Sequence, residues 1–174
     1  MLEAEQQERF ETWLAQYRAM FYKVMQAFAF NQADRDDLFQ EICLQVWKSI
    51  PAFRGDAAAS TWLYRIALNT AITWSQQSRK HNKGHDDIAQ HSHHLTQTAP
   101  PTDERLAWLY EQIAGFHPVD RSLALLLLDG FSYRDMAHML GISESNVGVK
   151  IHRIKKHLVA KAKNQPSWNS KTSK

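Results

Sequence analysis

Residues 130–158 read GFSYRDMAHMLGISESNVGVKIHRIKKHL, and the stretch carries the punctuation of two helices joined by a tight turn. Val147, Ile151, Ile154 and Leu158 recur at the spacing of one buried helical stripe. Gly130 is placed to end a preceding helix as a left-handed residue free of a Cβ penalty. Ser132 and Asp135 approximate a capping box, and Met136, Ala137 and Leu140 form the expected inner face of the short helix they open. Gly141 then supplies the turn, Ile142 plugs the core and Ser143 caps the next helix. Helix, glycine turn and helix at this spacing make a DNA-binding helix-turn-helix.

A reading helix needs an outer face as well as an inner one. At about 100° per residue from Val147, the outward positions include Ser145, Gly148, Val149, His152, Arg153 and Lys156. Gly148 lets the backbone approach a groove, and Val149 offers a branched apolar surface suited to a thymine methyl. Arg153 suits a guanine edge or a phosphate, and Lys155 and Lys156 suit phosphates. Lys150 completes the basic surface.

The charge of the whole chain follows this division. Net charge is +3 over 174 residues, but residues 1–78 hold 7 Lys+Arg against 9 Asp+Glu while residues 104–174 hold 11 against 6. The polyanion-seeking charge is C-terminal, and the N-terminal half calls for a different partner or mode of binding. The single cysteine, Cys43, excludes an internal disulfide and a thiolate zinc cluster. No apolar run reaches the length of a membrane span and the start lacks the apolar stretch of a secretory signal, so a cytoplasmic protein without membrane insertion is expected.

In the C-terminal half, helices are expected over Glu104–Ala114, Val119–Asp129, Tyr133–Leu140 and Glu144 to about Lys163. Before them, residues 79–103 are poor in large apolar side chains and end in Pro100-Pro101, the composition of a flexible linker. The first 78 residues predict three helices. One runs from residue 5 to about 29, with a drifting stripe of Phe10, Trp13, Leu14, Tyr17, Phe21, Val24, Met25 and Phe28. A second spans Asp34 to Ser49 ahead of Pro51, with Leu38, Ile42 and Trp47 inward. A third spans Thr61 to about Gln77, with Ser60 as its cap and Leu63, Ile66, Ala67, Ala71 and Trp74 inward. The fold class is therefore all-α: two small helical domains over 1–78 and 104–163, a tether over 79–103, and a frayed tail over 164–174.

Two surfaces in the first half stand out. Asp36, Asp37, Gln40 and Glu41 give the second helix an acidic and amide shoulder. On the third, Trp62, Arg65, Asn69, Thr73 and Gln76 form a row whose aromatic, cationic and amide groups suit unpaired bases.

DDLFQEICLQVW, FRGDAAASTWLYRIALN and LLLLDGFSYRDMAHMLGISESNVGVKIHRIKKHL, in this order and spacing, resemble bacterial sigma factors of the extracytoplasmic-function group of the sigma-70 family. The resemblance covers roughly residues 10–80 and 104–160. It implies a region 2-like bundle followed by a region 4-like helix-turn-helix, in a protein that is not an enzyme. Such a protein binds core RNA polymerase and directs promoter-specific initiation. By the same resemblance Asp37, Gln40 and Glu41 dock on the polymerase. Phe53, Arg54, Ser60, Trp62, Arg65 and Asn69 match the −10 DNA surface, with the 53–60 loop receiving a flipped base. Ser143, Ser145, Gly148, Val149, His152, Arg153 and Lys156 match the −35 reader. An anti-sigma factor is a further implied partner.

This chain departs from the family pattern in four places. AAAS (57–60) lacks a bulky loop residue, Thr73 stands where an acid is frequent, the basic cluster that follows is reduced to Arg79 and Lys80, and Gly148-Val149 replace a commoner polar or basic pair. The last implies an unusual −35 preference. No cofactor or metal is expected. His81, His85, His91, His93 and His94 read as solvated linker residues, with a zinc or pH sensor as the other reading. The alternative function is a free-standing helix-turn-helix regulator whose N-terminal domain binds a protein or dimerises.

Overall fold

The computed structural model describes residues 3–82 and 103–164, with side chains described up to Ser78 in the first stretch. Every regular element among them is helical. The chain divides into two compact units between Ala114 and Gly115.

The first unit contains α1 (Glu3–Gln16), α2 (Arg18–Phe28), α3 (Gln32–Ser49), a 3-10 turn (Ile50–Ala52), α4 (Ala59–Asn82) and α5 (Glu104–Ala114). Its centre is the pairing of α3 with α4, with α2 laid against both. Phe21, Val24 and Phe28 meet Leu38, Ile42 and Val46 there, closed by Leu63, Ala67, Leu68 and Ala71, all buried. The single long helix expected over residues 5–29 is two helices. Tyr17, at φ −104° and ψ 19°, interrupts it. The drift of the apolar stripe has this cause: Phe10 and Trp13 face one set of neighbours and Phe21 and Val24 another. No residue of α1 is fully buried.

Other boundaries move for local reasons. Asn31 caps α3 by accepting from the Asp34 N–H at 2.8 Å, so the helix starts at Gln32. Val46 rather than Trp47 is fully buried; Trp47 is half-buried and meets Phe10 edge-on at 5.4 Å. Ser60 is not a cap, because α4 begins at Ala59 and the Ala58 carbonyl already accepts from the Trp62 N–H at 3.0 Å. α4 continues to Asn82, past the expected linker start, and buries Tyr64, Leu68 and Ser75 as well as the expected residues Leu63, Ala67 and Ala71. α5, expected to open the second domain, packs on α2 within the first unit.

The second unit is α6 (Pro118–Leu128), α7 (Tyr133–Leu140) and α8 (Glu144–Lys163), with α8 lying on both others. α6 is buried nearly all round, from Pro118 to Leu126 with only Val119 and Asp120 partly open. Its buried Arg121 donates from Nε to the Phe116 carbonyl at 2.7 Å, and Ser122 donates to the Pro118 carbonyl at 3.2 Å. Gly130, at φ 79°, ends α6 with the paired bonds Gly130 N–H to Leu127 O and Phe131 N–H to Leu126 O. Gly141, at φ 66°, ends α7 similarly, with the Ile142 N–H on the Ala137 carbonyl. Met139 joins Met136 in the core, while Ala137 and Leu140 are half-buried. The rest of the linker, the tail from residue 165, and His85, His91, His93 and His94 lie outside the described residues, as does the His81 side chain.

Candidate nucleic-acid and partner interfaces

α8 presents its outer row as expected. Ser143 caps it, its Oγ accepting from the Asn146 N–H at 3.1 Å, and Val147, Ile151 and Ile154 are buried beneath. Ser145, His152, Arg153 and Lys156 are exposed, and Val149 is 48% exposed despite its branched apolar side chain. A row anchored by a capped helix start and a packed inner stripe is rigid enough to meet a groove with defined register. Farther along, His152, Lys155, Lys156 and Lys163 share a surface around Val159.

Two residues of this helix behave differently from the sequence reading. Lys150 is not part of an open basic surface: its Nζ meets Asp120 Oδ1 at 2.8 Å, tying α8 to α6 with both side chains about three-quarters covered. Gly148 is half-buried rather than open, and an added Cβ there would lie 3.9 Å from the Tyr133 ring. Tyr133, itself exposed at the start of α7, therefore shares the outer surface with Gly148. The periodicity of α8 alone carries no signal for either contact, since both partners lie on other helices.

In the first unit, α3 exposes Asp36, Asp37 and Gln40, with Glu41 half-exposed. Asp37 Oδ2 accepts from the Trp74 indole N–H at 2.6 Å, and Glu41 accepts from Gln45 at 2.8 Å. Both acids are thus oriented by neighbours, while Gln40 is open. The sequence reading missed the apolar side chains on this helix: Phe39 and Leu44 are both partly exposed. Leu44 sits one helical turn beyond Gln40, the spacing that puts two side chains on one face. Leu44 thus lies among acidic and amide groups on the surface of α3.

α4 carries the third surface. Arg65, Asn69, Thr73 and Gln76 are exposed along it. Asn69 and Thr73 line a polar groove of about 310 Å³ with Glu41, Gln45, Trp74 and Gln77, so the acidic shoulder of α3 and the polar row of α4 share a border. At the start of α4 the aromatic residues are not free-standing. Phe53 and Trp62 lie 5.0 Å apart, and Trp13 of α1 meets them at 5.1 and 5.7 Å. Arg9 stands over the Trp13 ring at 5.6 Å. Arg54 is exposed in the loop, and Ser60 is half-buried within the first turn of α4.

Among the described residues no group of three metal-ligating side chains converges, and no helix is long and apolar enough to cross a membrane. Burial pushes the Cys43 thiol above its ordinary pKa, which keeps it protonated.

Residues 13–81 match sigma-70 region 2 and residues 118–158 match sigma-70 region 4. The chain is 32% identical over 135 residues to the ECF RNA polymerase sigma-E factor of Haemophilus influenzae, covering 71% of each chain. It is 32% identical over 133 residues to the Escherichia coli K12 sigma-E factor, covering 69% of each. To the sigma factor SigM of Mycobacterium tuberculosis it is 26% identical over 161 residues, 86% of this chain and 74% of the other. Among solved structures it resembles RpoE in complex with the anti-sigma factor NepR from Bartonella quintana, with a TM-score of 0.65, 18% identity, and coverage of 89% and 96%. It also resembles CnrH in complex with the cytosolic domain of CnrY, with a TM-score of 0.61, 20% identity, and coverage of 90% and 89%.

Proposed function

The chain belongs to the extracytoplasmic-function group of the sigma-70 family, and from that premise we propose how its surfaces divide the work. It is a sigma factor: it binds core RNA polymerase and directs promoter-specific initiation through −10 and −35 recognition. We assign polymerase docking to Asp37, Gln40 and Glu41 on α3. The observation that supports this best is that these groups are exposed or oriented on one helix of a net-acidic domain, with Leu44 open on the same face. The acidic charge of that surface repels phosphate and so favours a protein partner over DNA.

DNA recognition falls to the other two surfaces. We assign −35 duplex reading to Ser145, Gly148, Val149, His152, Arg153 and Lys156, with Ser143 acting through its cap. Arg153 supplies the hydrogen-bonding head and Val149 the apolar contact. We assign the −10 element to Phe53, Arg54, Ser60, Trp62, Arg65 and Asn69, where stacking and amide hydrogen bonds favour the unpaired strand over the duplex. Strand separation then follows from differential binding, because the site holds a base only once it has left the stack. The chain does its work by binding and performs no covalent chemistry, and its place is the cytoplasm with core polymerase. The two solved structures it resembles are complexes with NepR and with CnrY. An inhibitory partner covering the docking face of this chain is the corresponding proposal here.

A free-standing helix-turn-helix regulator would leave the region 2 match over residues 13–81 without a purpose. The deciding experiment is transcription from a promoter library by reconstituted holoenzyme. Arg153→Ala is expected to weaken −35 selection with polymerase affinity intact. Gln40→Ala and Glu41→Lys are expected to weaken polymerase binding with DNA selection intact. Tight duplex binding by the chain alone, with no initiation by core enzyme, would overturn the assignment.

A further inference from the structure

We infer that Trp13 of α1 is a positioning residue for −10 strand capture, acting through Phe53 and Trp62 on the loop that precedes α4. The inference rests on the assignment of residues 53–62 to the −10 element and adds a residue that no DNA-facing set includes.

The geometry is specific. Phe53 ends the 3-10 turn and Trp62 lies in the first turn of α4, so the two rings bracket the loop Arg54–Ala58. Trp13 meets Phe53 at 5.1 Å with an interplanar angle of 85°, and Trp62 at 5.7 Å and 64°. Phe53 and Trp62 meet each other at 5.0 Å. These are the separations at which an electropositive ring edge meets an electron-rich face. Arg9, one turn earlier on α1, stands 5.6 Å from the centre of the Trp13 ring.

The loop itself contributes little rigidity. Its residues Arg54 to Ala58 are all exposed, and Ala57 and Ala58 offer no side chain with which to anchor it. A loop that must accept a flipped base needs its ends set beforehand, because ordering them on binding subtracts from affinity. Trp13 holds both ends, at Phe53 and Trp62, from a helix outside the loop. α1 has no fully buried residue, and this triad joins the Phe10–Trp47 contact and the hydrogen bond from Gln6 to the Trp47 carbonyl at 2.8 Å in attaching it to the unit. The loop ends and part of the attachment of α1 therefore share the same three rings.

The test uses holoenzyme made from core polymerase and the full chain, on a promoter selected from a library by the wild-type protein. 2-Aminopurine is placed at each −10 position in turn, and its fluorescence rise reports a base leaving the stack. Trp13→Ala is expected to lower the equilibrium constant for unstacking about ten-fold, the scale of losing two ring contacts. Polymerase affinity and the salt dependence of duplex binding stay at wild-type values. Trp13→Phe, which keeps an aromatic edge, is expected to return unstacking to within about three-fold of wild type. If Trp13→Ala loses helicity, Trp13→Leu replaces it, filling the site without a ring and carrying the same expectation. Wild-type unstacking that survives the substitution overturns the inference alone, as does equal loss in the alanine and phenylalanine variants. No unstacking by wild-type holoenzyme at any position overturns the −10 assignment itself.

Discussion

Lys150 offers the sharpest test of which basic residues on α8 belong to the fold and which to DNA. Its ammonium meets Asp120 at 2.8 Å, with side-chain exposures of 25% and 28%. A fully exposed ion pair contributes about 0.2–1 kcal/mol, and the partial covering of this one moves the value to the upper end. Lys150→Met also leaves Asp120 half-buried without its cation, so a total loss of about 1–2 kcal/mol is expected for the second unit. A loss of 1 kcal/mol speeds amide exchange through subglobal opening about five-fold, which hydrogen-exchange mass spectrometry on α6 and α8 peptides resolves. Binding to a non-specific duplex, measured by anisotropy over a KCl series, should keep its salt slope, because no phosphate contact has been removed. Lys156→Met is the comparison: a lysine on a phosphate lowers the slope by about 0.9 and leaves exchange unchanged. If Lys150→Met lowered the slope by that amount while α6 exchanged at the wild-type rate, the ion pair would not form in solution and the tie would be wrongly drawn.

Ser143→Ala removes the acceptor for the Asn146 N–H and should destabilise the second unit by about 1 kcal/mol, measured by exchange at the start of α8. Leu38→Ala empties a fully buried site at the α3–α4 contact and should cost the first unit about 2–5 kcal/mol in urea unfolding followed by tryptophan fluorescence. Cys43 should react slowly with a thiol reagent until the chain is denatured. Its pKa is raised in the folded state, so its contribution to stability is complete below the ordinary thiol range and is lost as pH rises through and beyond it. The difference in unfolding midpoint between wild type and Cys43→Ala, measured across alkaline pH, should therefore shift against wild type as pH rises through that range.

The helix-turn-helix was legible because its determinants are local. Ser132 finds the Asp135 N–H three residues on, Ser143 finds that of Asn146, and Gly141 needs only its own positive φ. The stripe Val147, Ile151 and Ile154 then falls on the buried side by period alone. What escaped the sequence depends on partners far away in the chain. Lys150 looks like any other lysine of a basic helix until α6 brings Asp120 to it. Trp13 reads as one more member of an apolar stripe until Phe53 and Trp62 arrive. The interruption at Tyr17 carries neither glycine nor proline, and it resolves a conflict between two packing directions that no local signal encodes. Ser60 misled because a residue well suited to capping sat one residue inside a helix that Ala59 had already begun.

Gly148 has a different standing from the two glycines that end helices. Gly130 and Gly141 hold positive φ and resist replacement, whereas Gly148 is helical and an added Cβ would meet only the Tyr133 ring, at 3.9 Å. A helical glycine costs about 1 kcal/mol relative to alanine, and nothing beneath this one requires it. The position is therefore cheap to vary in one direction: almost any exchange would strengthen the helix while altering the surface beside Val149. The surface beside Val149 can therefore change at this point without a compensating change in the core.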